Sequence, residues 1–293
     1  MVIKKSIGRR CFEVMNVLFM LFMMVITIYP FYYCITCSLS DSTQLIGARG
    51  LMLFPKGFSW AAYRAVIANP NIFSGYRNTI LLVVVGTCLN LLFTSVAAFL
   101  LTRRGFALRK PLALFMIFTM YFSGGMIPGY LLINNYLNLG DSLWALILPG
   151  LISTYNMLIM RTNFEGIPTA ITEAATIDGA NDILILFRII LPLSIPTIAV
   201  MALFYGVGHW NSWFNAMLYI ETRNKYPLQL ILREILLLNS MESMMGDTSA
   251  SDKFIMGESI KYATILVATI PVLFVYPFIQ KYFVKGIMIG AVK

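Results

Sequence analysis

Six stretches of this chain run without a single charged side chain for about the length that crosses a bilayer, and that pattern decides the solvent in which it folds. They cover 14–37, 78–101, 112–133, 142–160, 189–220 and 262–280. Hydrophobic residues make up 59% of the 293, and charged residues only 12%, against about 25% in a soluble domain. One aqueous core cannot bury that much apolar surface. The spacing predicts an all-α polytopic membrane protein of six transmembrane helices in a single domain. The membrane part of the fifth stretch is 192–220, with Pro192 and Pro196 near its start, where proline harms a helix least.

The net charge of +9 does not point to nucleic acid, because the basic residues sit in short runs between apolar stretches. Six spans put both termini on one side. That side holds Lys4, Lys5, Arg9, Arg10, Arg103, Arg104, Arg109, Lys110, Arg161, Arg188, Lys281, Lys285 and Lys293, which is 13 of the 22 Lys and Arg residues. Both termini are therefore expected in the cytoplasm. The apolar run after Arg10 is too long for a secretory signal and reads as a retained first span. Cys34 and Cys37 form a C-x-x-C with no second pair and no nearby His, so they read as small membrane hydrophobes.

The outer segments are then 38–77, 134–141 and 221–261. In the last, Leu228, Ile231, Ile235 and Leu238 follow Tyr226-Pro227 at helical spacing. This predicts an amphipathic helix at the outer membrane surface or against a partner, followed by a polar loop over 240–253.

The cytoplasmic segment 164–191 carries the most pointed signal. From Glu173 to Pro196 it reads EAATIDGANDILILFRIILPLSIP. Pro168 suits a first helical turn. Ile171, Ala174, Ala175 and Ile177 form a small apolar face. Asp178-Gly179 signals a turn, with Gly free to adopt positive φ. Asn181 or Asp182 caps a second helix bearing Ile183, Leu186, Phe187 and Ile190, which Leu191-Pro192 ends. A helix-turn-helix outside the bilayer, displaying apolar residues, either docks into a partner's groove or serves as a structural surface helix.

Glu173, Ala174, Ala175, Asp178, Gly179, Ala180, Phe187, Ile190, Leu191, Pro192 and Pro196 together resemble the EAA signature of binding-protein-dependent ABC importer permeases. The resemblance covers the whole chain and is greatest for the smaller permease of carbohydrate importers, similar to one of the two maltose permease subunits. Trp210 to Ala216 (WNSWFNA), Tyr226-Pro227-Leu228-Gln229 and the tail Phe283-Val284-Lys285-Gly286 to Lys293 resemble the complex-oligosaccharide group. The resemblance implies a type I ABC importer permease fold in a bacterial cytoplasmic membrane. Its first short helix would be a coupling helix seated in an ATPase subunit, with Glu173 facing that cleft. It also implies a second homologous permease, two ATPase subunits carrying ATP and Mg, an extracytoplasmic solute-binding protein and an oligosaccharide substrate.

Sugars bind through aromatic faces, amides and hydroxyls. Asn211 and Asn215 are candidate pathway residues, and Trp213 is a candidate for the pathway or for the interfacial aromatic belt; Trp210 lies about 27 Å along a helix from Pro192. Asn90, midway in the second span, bonds between helices or contacts substrate. Gly124, Gly125, Pro128 and Gly129 break the third span and either line a cavity or kink it. His209, the chain's single histidine, reads as a neutral hydrogen-bonded residue. No acidic residue lies inside a span, which argues against an ion-coupled carrier. No G-x-x-x-x-G-K-[ST], metal cluster or nucleophile constellation is present, so nucleotide chemistry belongs to another chain. An importer of another solute, or a stand-alone channel, are the competing readings.

Overall fold

The computed structural model describes residues 7–46, 50–103, 105–245 and 258–275, with 277 and 280; side chains of 46 and 238–245 are outside the description. Among the described residues there is no strand, only an isolated bridge between Ser40 and Phe58. The tail Phe283 to Lys293 lies outside them.

The chain divides into two compact units. The first, Met1–Asn69 with Glu234–Ile270, holds α1 (Ile7–Ser38), α2 (Ser42–Ile46) and α3 (Ala61–Ala68). Almost every apolar side chain of α1 is exposed, as a lipid-facing span requires. Its C-terminal end is anchored by a hydrogen bond and a ring contact: the Ser259 hydroxyl donates to the Ser40 carbonyl at 3.1 Å, and Tyr33 meets Tyr262 edge to face at 5.7 Å. Cys37 is buried against Met52, and all four cysteines are free thiols.

The second unit, Pro70–Arg233 with Pro271–Lys293, holds the site. Its backbone is Pro70–Thr102, one continuous rod of α4 (Pro70–Leu81), a π-helical turn (Leu82–Gly86) and α5 (Thr87–Thr102). The rod starts eight residues before the expected span. Two apolar cores grip it, one near its middle and one at its C-terminal end. At one, Leu82 packs with Ile133, Ile147, Ala216 and Leu230. At the other, Ala98, Phe99 and Leu101 pack with Met157, Met160, Ile185 and Ile190. Between them the rod presents the buried polar residues Asn90, Thr94 and Ser95.

Three of the expected spans are not single rods. The third is α6 (Arg109–Tyr121) and α7 (Met126–Leu131) with a further π turn, bent by 116°. The break falls on the glycines: Gly125 has φ 89°, open to a residue without Cβ. The fourth, 142–160, is α8 (Trp144–Ile147) and a 3-10 turn containing Pro149. A gap follows before α9 (Thr154–Glu165), which is capped by the Ser153 hydroxyl. The fifth, expected unbroken over 192–220, is cut twice. It turns by 88° at Ser194, just before Pro196 removes a helical N–H, and breaks again at Asn211-Ser212 between α13 (Ile195–Trp210) and α14 (Trp213–Tyr219). Among the described residues, three helices, or up to five spans if each bent pair is one, have the length and composition to cross a membrane.

The amphipathic helix of the last outer segment exists as α15 (Leu228–Met245), extending into residues expected as loop. Its first turns do not lie on a lipid surface. Ile231 and Leu228 close over Gly75, where an added Cβ would meet Ile231 Cδ1 at 2.6 Å, and the Thr79 hydroxyl accepts from Leu228 N–H at 2.8 Å. Leu228 and Ile231 are therefore buried within the chain, while the side chain of Leu238 lies outside the described residues.

Candidate functional site

The helix-turn-helix forms as the sequence specifies, with its turn chemistry resolved atom by atom. α10 (Thr169–Ile177) ends at Asp178, and Gly179 takes φ 83°. Gly179 N–H donates to Thr176 O at 3.1 Å and Ala180 N–H to Ala175 O at 2.9 Å. These two bonds are a Schellman cap, whose left-handed residue favours Gly. Ala175 and Ala180, the pair such a cap brings together, both pack on the Phe99–Met160–Ile185 core. Asn181 caps the next helix, its Oδ1 accepting from Leu184 N–H at 2.8 Å.

Two expectations need correcting here. Pro192 does not stop that helix. The chain runs on as Asp182–Leu193, through α11 (Asp182–Ile185), a π turn (Leu186–Ile190) and α12 (Leu191–Leu193). The π turn widens the helix just before the proline ring, where α geometry would clash. The apolar set expected on α10 is also not all on one face, because Ala175 packs on the core, and the set on the second helix is split as well. Ile185, Leu186 and Ile190 are buried, while Ile171, Ile177 (86% exposed), Ile183 (70%) and Phe187 (46%) point outward with Ala174. Glu173 and Asp178 are exposed beside them. The element thus has an inner face fixed to the core and an outer face of exposed aliphatic, aromatic and acidic side chains.

Arg103 at the end of α5 joins this element to the rod. Its guanidinium lies 4.4 Å from the Phe99 ring centroid and 2.7 Å from Asp182 Oδ1, at the N-terminus of α11, where a carboxylate also suits the helix dipole. Arg103 and Glu173 line the same cavity of about 430 Å³, together with Arg109, Glu165, Thr169 and Thr172. No local pattern could have paired Arg103 with Asp182.

The second site is a cavity of about 410 Å³ beside the buried polar layer, lined by Ser153, Asn156, Tyr205, His209, Asn211 and Asn215 with Phe204 and Phe214. It brings Asn211 and Asn215 together at the α13–α14 break. Trp213 is not among its lining residues; it packs in the Leu82–Ala216 core under the Arg233 guanidinium, 4.7 Å from its ring centroid. Gly125 and Asn90 also do not line it. Asn90 is 0% exposed, and its amide spans three elements. Nδ2 donates to Gly150 O at 2.8 Å and Leu151 O at 2.9 Å, and Oδ1 lies 2.7 Å from His209 Nε2. The Tyr205 hydroxyl accepts from Ser153 N–H at 3.0 Å and meets the Thr94 hydroxyl at 2.7 Å. The broken backbone at 150–153 is therefore satisfied by side chains of α5 and α13, the condition for irregular backbone at membrane depth. Among the described residues no cluster of His, Cys, Asp and Glu could hold a metal.

Asp141 bridges two loops. Its carboxylate accepts from Lys225 Nζ at 2.6 Å, from the Thr222 hydroxyl at 2.6 Å and from the Thr222 and Glu221 amides. The Lys225 ammonium, then the Thr222 hydroxyl, hold this carboxyl well below the usual carboxylate range.

Comparison with known proteins gives the same reading over nearly the whole length. Residues 90–289 match the family described as "Binding-protein-dependent transport system inner membrane component". The chain is 43% identical to Protein LplC of Bacillus subtilis, over 97% of this chain and 95% of that protein. It is 41% identical to the polygalacturonan/rhamnogalacturonan transport system permease protein YtcP of the same organism, over 97% and 99%. Among solved structures it superposes with TM-score 0.86 and 29% identity on a chain of a bacterial ABC transporter involved in the import of the acidic polysaccharide alginate, covering 95% of this chain and 99% of that one. With an almost wholly helical architecture, apolar helices of spanning length and a capped helix-turn-helix at the signature loop, the chain belongs to the inner-membrane permease family of binding-protein-dependent ABC transport systems.

Proposed function

We propose that this chain is one of two permease subunits of a bacterial importer that moves an oligosaccharide, of the uronic-acid-containing kind named for two of its relatives, into the cytoplasm. ATP and Mg bind to two ATPase subunits beneath the permeases. An extracytoplasmic binding protein delivers the sugar to the outer loops. Both termini face the cytoplasm, and the chain makes six passes. The observation that carries this reading is the division of the helix-turn-helix into a core-fixed face and an exposed face of Glu173, Ala174, Ile177, Asp178, Ile183 and Phe187. Exposed apolar residues outside a bilayer need a partner, and an ATPase cleft is the partner the family supplies. Motion of that partner passes through Asp182–Leu193 into α13 and the Asn211–Asn215 cavity.

The test is Glu173→Lys combined with Gly179→Asp in the assembled, reconstituted importer. Loss of most substrate-stimulated ATP hydrolysis is expected, since one change reverses charge at the docking face and the other strains the left-handed turn. An assembled complex whose stimulated hydrolysis is undiminished would remove the coupling role.

A further inference from the structure

The hydrogen-bonding sense of one residue lining the Asn211–Asn215 cavity is dictated by the backbone break at 150–151, whose Gly150 lines the same cavity. Carbonyl oxygens only accept hydrogen bonds. The oxygens of Gly150 and Leu151 therefore require the –NH₂ end of Asn90, and fix which way its amide points. Its Oδ1 then faces His209 Nε2 at 2.7 Å. That oxygen is also acceptor-only, so Nε2 carries the proton. Gly86, one helical turn before Asn90 on the same face of the rod, makes room for this arrangement: a Cβ there would lie 2.4 Å from Nε2, so only glycine lets the ring edge come so close. Among the described residues nothing acidic lines the cavity, and a buried unpaired charge is costly, so the imidazole is neutral. A neutral ring protonated at Nε2 has a bare lone pair at Nδ1. The ring lines the cavity, and no group of the described chain donates to Nδ1.

We propose that His209 is an obligate hydrogen-bond acceptor in the transport cavity, set in that role by Asn90 and Gly86, and that its partner is a hydroxyl group of the passing sugar. A ligand must present an O–H donor at this point; a carboxylate or phosphate oxygen, which only accepts at neutral pH, is repelled there. This deepens the importer reading given above and rests on it. It gives the site a means of preferring the hydroxylated face of an acidic sugar over its carboxylate, with no fixed charge among the lining residues.

The chain has a single histidine, which makes the test direct. The assembled importer is prepared with ¹⁵N-histidine, and subtraction of the spectrum of the H209Q complex isolates the His209 signals. A protonated Nε2 and a bare Nδ1 are expected, with the Nδ1 resonance moving upfield when trigalacturonate is added. A ring protonated at Nδ1 would overturn the assignment, as would a bare Nδ1 resonance indifferent to a sugar that the importer transports. Uptake into proteoliposomes supplies the second arm. Glutamine keeps an N–H for Asn90 but leaves no acceptor where Nδ1 stood. H209Q is expected to assemble at wild-type yield and to import trigalacturonate roughly 3- to 10-fold more slowly, the range for one lost hydrogen bond. If His209 served only to hold Asn90, H209Q would transport like wild type, and that result sinks the proposal. Wild-type complex that imports no trigalacturonate would count against the oligosaccharide reading, while the protonation pattern of the ring would still decide the acceptor role.

Discussion

A methyl group on Gly86 would have to occupy the position of the His209 ring, 2.4 Å from Nε2. Gly86→Ala is thus expected to destabilise the assembled complex by about 1–3 kcal/mol, as overpacking does, and a thermal melt monitored by size-exclusion chromatography will show it. Asn90→Leu removes both donors to the Gly150 and Leu151 carbonyls and the acceptor for His209, leaving buried polar groups without partners. The expected loss in the same melt is larger, about 2–4 kcal/mol, since each orphaned group costs about 1–3 kcal/mol. At the outer loops the sign of a pH effect follows from Asp141. Its carboxyl titrates lower when folded than when unfolded, so the stabilisation it gives is complete above its unfolded value and fades as pH falls through the folded one. Melting of wild type and Asp141→Asn should differ by about 1 kcal/mol at pH 7, a figure reduced for the solvent around this partly exposed ion pair. The difference should hold down to about pH 4 and shrink only below it. Asparagine tolerates the left-handed φ of 51° at this position, so the comparison isolates the charge.

At the scale of elements, the helix-turn-helix was legible because its instructions are local. Gly179 for the left-handed turn, Asn181 for the cap and the small Ala175 and Ala180 beneath the turn all lie within seven residues. The polar layer was not legible. Asn90 finds its partners 60, 61 and 119 positions away, and no periodicity in one sequence connects them. The same holds for the breaks. A run of apolar residues announces a span, but whether it stays straight depends on which neighbours can take over its freed N–H and C=O groups. At 150–153 those neighbours are Asn90 and Tyr205. Leu228 and Ile231 showed their helical spacing but not their receiver, since Gly75 lies in a different connecting segment and Thr79 at the start of the second span. Arg103 offers a test at this scale. Arg103→Met keeps an apolar stem beside Phe99 and loses the ion pair to Asp182. Stability should change by less than about 1 kcal/mol, because Asp182 is mostly exposed. Sugar imported per ATP hydrolysed should fall, because α11 is no longer tied to α5, and combined uptake and phosphate-release assays will measure the ratio. An unchanged ratio would make the pair ornamental.

For the molecule as a whole, the proposed topology places Cys11 in the cytoplasm, and it is exposed. A membrane-impermeant maleimide should label Cys11 in inverted vesicles and not in right-side-out ones. Cys88 lies within the second span and should stay unlabelled in both. The right angle at Ser194 has a mechanical meaning for the complete transporter. Asp182–Leu193 and Ile195–Trp210 meet at 88°, and in the proposed importer they would work as a bell crank with the pivot beside Pro196. A push on the short arm from the ATPase side would then become a swing of the long arm. That arm is about 24 Å long, so a rotation of about 5° carries its far end by about 2 Å. The His209–Asn90 bond sits at that far end and spans 2.7 Å. In the proposed importer a stroke of this size would be enough to break that bond, and the sugar's acceptor would leave its seat in step with the motor.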